Sequence, residues 1–335
     1  MTIPDDEAVR EPAAGGDPLV SCVIVNYNTR DQTAAFLRSL VAETGSIASQ
    51  IIVVDNGSAD GSVDAFRDEF PSITVVDTGE NLGFARGVNV GADHARGKYL
   101  LLLNPDMVAL PGSVRALLDF AETHPEYGLY GGRTIAGDGT LEPSSCWAAP
   151  TLWSLLMFAT TLSTAFRKSP IFDPESMGRW QRDTVREVEI VTGCLLLVRR
   201  DLFFEAGRMD EDYFLYGEDA EFSLRMRALG HRAVIVPTAE MVHEVCGSSV
   251  SGNKGCMVMA GKVTMLRKLW SPARAAVGTR LLLAGTAVRA LLERVLRRPG
   301  PWRTVWQRRR DWWIGYPGAR ATIFGLPVER EGAAR

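Results

Sequence analysis

The residues best able to do chemistry stand directly after apolar runs. Asp55 follows the run 50–54 and precedes Asn56, Gly57 and Ser58. A carboxylate there can accept hydrogen bonds from a ribose or a base, although an aspartate before a glycine also reads as a turn or cap residue. Asn104-Pro105-Asp106 follows Tyr99–Leu103. A carboxylate closing so apolar a run must be solvated, paired or metal-bound, and a divalent ion bridging it to a diphosphate would satisfy it. The competing reading is a helix-start signal, since Pro111 and Gly112 follow. Glu218 and Asp219 follow Tyr213-Phe214-Leu215-Tyr216-Gly217 and open an amphipathic stretch. First-turn acids favour a helix dipole, but apolar surroundings also raise a carboxylate's pKa and suit a general base. His243, before Gly247-Ser248-Ser249, is a structural histidine or a ligand of metal or diphosphate.

Positioning these groups requires a parallel sheet. Residues 19–25, 50–54, 73–76 and 99–103 are β-rich or fully apolar runs with the lengths of strands buried on both faces. Helix-like segments at 31–42, 62–70 and 84–95 separate them, which predicts an α/β sheet, mostly parallel, with helices on both faces. Ligands of such sheets bind outside the carboxyl ends of the strands. The candidates there are Asn26-Tyr27-Asn28, Asp55-Asn56-Gly57-Ser58, Thr78-Gly79-Glu80-Asn81 and Asn104-Pro105-Asp106. Further on, a helix at 113–123, a strand at 128–131, one strand across 188–199, a short helix capped by Asp201, a helix at 217–229 and a strand at 233–236 are expected. Residues 138–183 lack a clean period and read as a loop-rich, acceptor-shaping insertion.

The 335 residues are 46% hydrophobic and 23% charged, enough for a large core. A net charge of −3 gives no reason to expect a nucleic-acid partner. Five scattered cysteines without a CxxC spacing argue against disulfides or zinc and fit a reducing cytoplasm. Residues 1–18 are acidic and rich in Pro, Ala and Gly, which predicts a disordered lead-in and not a secretory signal. The most apolar stretch, 281–296, is interrupted by Arg289, Glu293 and Arg294, so no spanning helix is expected.

The tempting phosphate loops fail on spacing. Five residues rather than four separate Gly91 from Gly97, and Tyr99 stands where a P-loop has Ser or Thr. No GxGxxG follows the first run, which disfavours a nicotinamide oxidoreductase.

Taken together in order, VSCVIVNYN (20–28), IVVDNGS (52–58), ENLGFARGVN (80–89), LLLNPD (101–106), TGCLLLVRR (192–200), FLYGEDAEFSL (214–224) and the segment 243–248 resemble glycosyltransferase family 2, most closely its rhamnosyltransferase-like branch. The resemblance spans about residues 19–249. It implies a GT-A fold over 19–260, with a nucleotide-binding half (19–110) and an acceptor-binding half (111–260), followed by a basic helical extension over 261–335.

The same resemblance implies roles. Asp55 would contact the nucleoside and Arg86 the base or diphosphate, with Asn26, Tyr27, Asn28, Asn56, Gly83, Asn89 and Asn104 completing the donor site. Asp106 matches the metal-binding end of the family's DXD motif, its first acid replaced here by Asn104. Asp219 matches the catalytic base, with Glu218 beside it, and His243 a histidine near metal and diphosphate. The implied reaction is inverting transfer of a sugar from a nucleotide-diphosphate donor, dTDP- or UDP-linked, with Mg²⁺ or Mn²⁺, to a hydroxyl acceptor. The branch favours dTDP-L-rhamnose; a galactofuranosyl or other hexosyl donor, and a non-catalytic sugar-nucleotide-binding scaffold, are the alternatives. Relatives often carry a basic residue before the Pro-Thr pair, whereas this chain reads Ser144-Ser145-Cys146-Trp147-Ala148-Ala149-Pro150-Thr151.

From Lys262 to Arg310 the chain is basic, with Glu293 its sole acid, and Trp302, Trp306, Trp312 and Trp313 lie among the arginines. This pattern predicts either amphipathic helices on an anionic membrane surface or a basic face packed on the catalytic domain. The first suits a peripheral enzyme of the inner membrane face acting on a polyprenyl-diphosphate-linked acceptor, and the apolar part leaves homo-oligomerisation open.

Overall fold

The computed structural model describes residues 16–243 and 252–325. The first fifteen residues of the predicted lead-in, Cys246 and the Gly247-Ser248-Ser249 segment lie outside them. The chain begins as the periodicity predicts: β1 (Val20–Asn26), α1 (Arg30–Thr44), β2 (Ser49–Asp55), α2 (Ser62–Glu69), β3 (Thr74–Asp77), α3 (Phe84–His94) and β4 (Tyr99–Leu103). There follow β5 (Met107–Ala109), α4 (Ser113–Thr123), β6 (Tyr127–Ile135), β7 (Cys146–Trp147), α5 (Leu152–Ala159), α6 (Leu162–Ala165), β8 (Arg186–Val188), β9 (Ile190–Val191), β10 (Leu195–Arg199), α7 (Arg200–Glu205), α8 (Glu218–Ala228) and β11 (Arg232–His243). Five helices close the described chain: α9 (Gly252–Leu269), α10 (Pro272–Val295), α11 (Trp302–Gln307), α12 (Arg309–Trp313) and α13 (Gly318–Phe324).

The main sheet runs β3-β2-β1-β4-β10-β6-β11-β5. Its first four strands are parallel, β10 enters antiparallel between β4 and β6, and β6 pairs parallel with β11. Alternation of side chains sorts the core into two layers. Cys22 and Ile24 face α1 and α4, while Val23 and Val25 face α3 on the opposite side. Helix α3 lies close because it presents glycines: a Cβ on Gly87 would stand 2.8 Å from Val25 Cγ1, and one on Gly91 would enter Val23. Gly91 is thus a packing residue within a helix, and Gly97 sits at the opposite end of the sheet from the strand termini that form the crevice.

Three expectations are corrected. The single strand expected across 188–199 is broken into pieces, because Thr192-Gly193-Cys194 leaves the ladder to meet α8. Asp201 lies inside the first turn of α7, where its carboxylate pairs with Arg199 instead of capping the helix from outside. The 138–183 insertion carries α5 and α6, and Thr151 begins α5 with a capping box to Ser154.

The C-terminal helices pack on the catalytic unit. Their core unites Met259, Val263, Leu266, Leu282 and Trp312 with Tyr213, Phe214 and Leu155. Helix α9 crosses residue 260 without a break. Among the described residues α10 is the one helix long and apolar enough by composition to cross a membrane, yet it buries Gly278, Leu282, Gly285 and Arg289. Several basic residues expected to face outward are engaged internally. Lys268 pairs with Asp210 and Asp212, Lys262 with Glu175, and Arg267 donates to the carbonyls of Trp313 and Ile314.

Candidate active site

Strands β2, β1 and β4 end side by side, with Asn26 opposite Asp55 and Ile24 opposite Leu103. With neighbouring strands about 4.8 Å apart, Asp55, Asn26 and Asn104 form a row along the mouth of the sheet. Asp55 is fully buried. Its Oδ2 accepts a 2.6 Å hydrogen bond from Asn26 Nδ2 and its Oδ1 accepts the Ser58 N–H at 2.8 Å. Asn26 Oδ1 in turn accepts the hydroxyls of Thr29 and Thr33. The Asn28 side chain accepts the Ala59 N–H and its own N–H donates to Ser58 Oγ, while Tyr27 stands 48% exposed at the rim. Asp55 and Asn26 therefore fix the floor of the crevice, and Tyr27 and Asn28 are the members of this group that face outward.

The next wall is a loop held by Asn56. Its side chain donates to Asn81 Oδ1 and the Gly83 carbonyl and accepts the Leu82 N–H. Gly83 adopts φ +85°, and a Cβ there would collide with the Phe214 carbonyl, which accepts the Phe84 N–H at 2.8 Å. Arg86 Nε lies 3.3 Å from Glu211. Asn89 is buried, with its amide donating to the Met209 carbonyl and Glu211 and accepting the Met209 N–H. Its amide is spent joining α3 to the chain ahead of α8, so the structure places it behind the crevice wall.

Past β4, Asn104 donates its N–H to the Cys194 carbonyl. Asp106 Oδ1 is buried with no hydrogen bond of ordinary geometry, 3.3 Å from His243 Nε2. The other ring nitrogen, Nδ1, lies 3.2 Å from Glu142 Oε2 and 3.1 Å from Ser144 Oγ. Burial works against the charged imidazole, but contacts with Asp106 and Glu142 outweigh it and raise the pKa to about 9. Glu142 was not singled out in the sequence, and Ser144 only as the start of the run 144–151 that departs from the relatives. They lie about a hundred residues from His243, and only the run of β6 into the insertion brings them beside the end of β11.

Opposite this group stands the start of α8. Gly217, at φ +105°, turns the chain so that Glu218 and Asp219 occupy the first helical positions. Asp219 Oδ2 accepts the Gly193 N–H at 3.1 Å and Oδ1 accepts the Ala220 N–H. Burial raises the Asp219 pKa against these two hydrogen bonds. Glu218 is buried with Oε2 unpartnered; desolvation first, and then the charge of Asp219, push it up to about 8.

One buried thiol registers the whole arrangement. Burial lifts Cys194 to about 12, and Asp219, Glu142 and Asp106 all add to the shift. The backbone contacts show the same grouping: Gly193 N–H donates to Asp219, the Cys194 carbonyl accepts the Asn104 N–H two residues before Asp106, and Thr192 donates to the Ser144 carbonyl two residues after Glu142. The three carboxylates thus gather at the segment before β10, and Asp55 stands on the same edge with β1 and β4 between. An acid poised with a raised pKa, opposite an acid–histidine pair at the end of a parallel sheet, suits proton removal on one side and anion stabilisation on the other.

Residues 21–186 match the family described as glycosyl transferase family 2. The N-acetylglucosaminyl-diphospho-decaprenol L-rhamnosyltransferase of Mycobacterium tuberculosis is 32% identical over 238 residues, 68% of this chain and 76% of that protein. The chain belongs to glycosyl transferase family 2. Another relative, the O-antigen biosynthesis protein RfbC of Myxococcus xanthus, is 26% identical over 72% of this chain and 18% of its own length. Among solved structures, the mannosyltransferase PcManGT of Pyrobaculum calidifontis, in complex with GDP-Man and Mn²⁺, superposes with TM-score 0.56 at 17% identity, covering 95% of this chain and 92% of that one. GalNAc-T7 with UDP, GalNAc and Mn²⁺ gives 0.60 at 15% identity, over 90% and 58%. The fold of this glycosyltransferase is accordingly GT-A, a mixed, mostly parallel sheet with a C-terminal helical region, as the motifs imply.

Proposed function

We propose that this family 2 glycosyltransferase moves L-rhamnose from dTDP-L-rhamnose to a hydroxyl of a polyprenyl-diphosphate-linked glycan by a single inverting displacement. The observation that carries the reading is that segment 192–194 meets Asp219, the Asn104 N–H two residues before Asp106, and the Ser144 carbonyl two residues after Glu142, at the sheet edge that Asp55 shares. The rhamnosyl donor and lipid-linked acceptor are supported by the mycobacterial relative's description.

The residues present fit a divalent cation. Asp106 offers a buried carboxylate oxygen short of partners and His243 an imidazole nitrogen beside it. Among the described residues no three acids, histidines or cysteines form a ready-made metal cage. That agrees with a Mg²⁺ or Mn²⁺ site made of one or two protein ligands and substrate phosphates. When bound, the cation supplies Lewis-acid neutralisation of the departing diphosphate. Asp106 and His243 would hold it, and His243 must lose its proton to do so.

Asp219 would accept the acceptor's hydroxyl proton as the oxygen attacks the anomeric carbon and the bond to the nucleoside diphosphate breaks. The Gly193 N–H fixes its carboxylate in place. Buried Glu218 would keep its proton near neutrality and so spare Asp219 a second adjacent charge. The exposed residues at the end of α10 and just past it, Leu291, Val295 and Leu296 beside Arg294, Arg297 and Arg298, would rest on an anionic cytoplasmic membrane surface. A thermal-shift panel of nucleotide sugars with Mn²⁺ tests donor and metal together, followed by the anomeric coupling in the product's NMR spectrum. A donor preference other than dTDP-rhamnose overturns the assignment of the sugar, and retained configuration overturns the mechanism.

A further inference from the structure

Next to the site lies a cavity of about 390 Å³ that the proposed transfer chemistry leaves unused, framed by the 138–183 insertion and the C-terminal helices. Trp147, Trp180 and Trp302 line it together with Arg167, Arg182 and Arg289. Two of these arginines are buried without a counter-ion. Arg182 is 1% exposed; its guanidinium donates to the carbonyls of Trp180 and Ser176, and its Nε has no partner. Arg289 is 7% exposed, donates to the Phe158 carbonyl and the Thr164 hydroxyl, and lies over the Phe158 ring. No carboxylate lies within salt-bridge distance of either among the described residues, nor of Arg167 and Lys168 at the rim. Asp173, the one acid in the lining, accepts the Lys168 backbone N–H.

Burying a guanidinium without an opposite charge is costly, and a fold that does so twice in one cavity gains from an anion placed between them. Guanidinium forks match phosphate oxygens in geometry, and indole faces suit hydrocarbon. Beside the lining residues in the chain, Phe166, Ile171 and Trp153 are exposed, with Trp153 Nε1 donating to the Ile171 carbonyl. The cavity also shares a wall with the catalytic group. Leu141 and Pro143 line it, and they flank Glu142, whose carboxylate touches His243. Trp147 pairs with Ile190, and the adjoining Gly193 holds Asp219.

We infer that this cavity binds the diphosphate and first isoprene units of a prenyl-diphosphate acceptor, with Arg167, Arg182 and Arg289 facing the phosphates and the tryptophans the chain. The inference rests on the lipid-linked reading of the acceptor. It places the acceptor's charged link on the far side of the 141–144 segment from the donor, with its sugar reaching toward Asp219.

The test uses farnesyl diphosphate as probe, titrated by tryptophan fluorescence into the full chain with the donor site saturated by dTDP and Mn²⁺. Binding is expected in the wild type, weakened at least tenfold in the rim variant Arg167→Ala/Lys168→Ala and in Arg289→Met, and at least tenfold weaker for farnesol. Equal affinity in wild type and rim variant overturns the inference. So does loss of dTDP–Mn²⁺ binding in the rim variant, which would assign the cavity to the donor. Phosphatidylglycerol vesicles should bind both proteins alike; a rim variant that loses vesicles but keeps farnesyl diphosphate makes the cavity a phospholipid site and also overturns it. Failure of the functional reading shows separately, as a wild type that ignores dTDP-sugars with Mn²⁺ whatever farnesyl diphosphate does.

Discussion

The Gly193 N–H donates to Asp219 Oδ2 across 3.1 Å, tying the first turn of α8 to the gap between β9, which pairs with β7, and β10 of the main sheet. Because Gly193 has no side chain, Phe84 closes on the same point from α3, where a Cβ would lie 3.1 Å from its ring. The proposed base is thus held by backbone at a break in the ladder, and its position depends on the sheet more than on its own helix.

Asp219→Asn keeps an oxygen to accept the Gly193 N–H but cannot take a proton. Turnover should fall roughly a hundredfold or more, the scale of a lost general base, while dTDP-sugar affinity stays within about twofold. Stopped assays for kcat alongside calorimetric donor titration check this. Ordinary turnover in the variant would remove Asp219 from the role.

Asp106→Ala removes the buried oxygen that fits the cation. The Mn²⁺-dependent thermal shift of the dTDP-bound protein should disappear, and kcat/KM should drop at least about a hundredfold, since Lewis-acid stabilisation is worth several kcal/mol. Treating wild type with a chelator should give the same loss, reversed by Mn²⁺ in wild type and not in the variant. A shift that survives in the variant would place the metal elsewhere.

Glu218 gives stability a pH dependence of known sign. Its ordinary value of 4.5 is raised to about 8 in the fold. Between those values the folded protein keeps a proton that the unfolded chain has lost, so stability falls as pH rises through the window. Glu218→Gln has no such proton. Its urea midpoint relative to wild type should climb from pH 5 to pH 8 and level off above; a constant difference would mean that Glu218 is not buried in its protonated form.

Gly261 lies in α9 where a Cβ would strike the Tyr216 carbonyl, immediately before the Gly217 turn. Gly261→Ala should destabilise by about 1–3 kcal/mol, the cost of overpacking, and should lower kcat through movement of Asp219 while donor affinity holds. Thermal melts and steady-state kinetics on the same preparation decide it. Unchanged melting and turnover would show that α9 is not fitted against the catalytic turn.

Much of the donor half was legible because its signals are local. Apolar runs of strand length alternate with helical segments, and each polar cluster follows its run directly, so Asp55 and Asp106 could be named before their distances were known, as Asp219 could in the other half from the aromatic run that precedes it. The motif order carried the family, and the family carried the fold. The same local logic failed at 188–199, where an apolar run conceals a break that exists only because Gly193 leaves the ladder for Asp219. The resemblance assigned Asn89 to the donor site without any sign that its amide faces Met209, a partner 120 residues away.

By itself, then, the sequence determined which residues are acidic at strand ends, the alternation of strand and helix, and the family, since each of these is written in neighbouring positions. Tertiary structure alone decided that Glu142 reaches His243, that the basic C-terminal helices bury Arg289 and brace the turn before Asp219, and that two guanidiniums share a cavity with no carboxylate within salt-bridge distance of either among the described residues. The physical reason is that charge compensation and close packing are set by distance in space, and residues a hundred positions apart carry no local trace of the partner that folding assigns them.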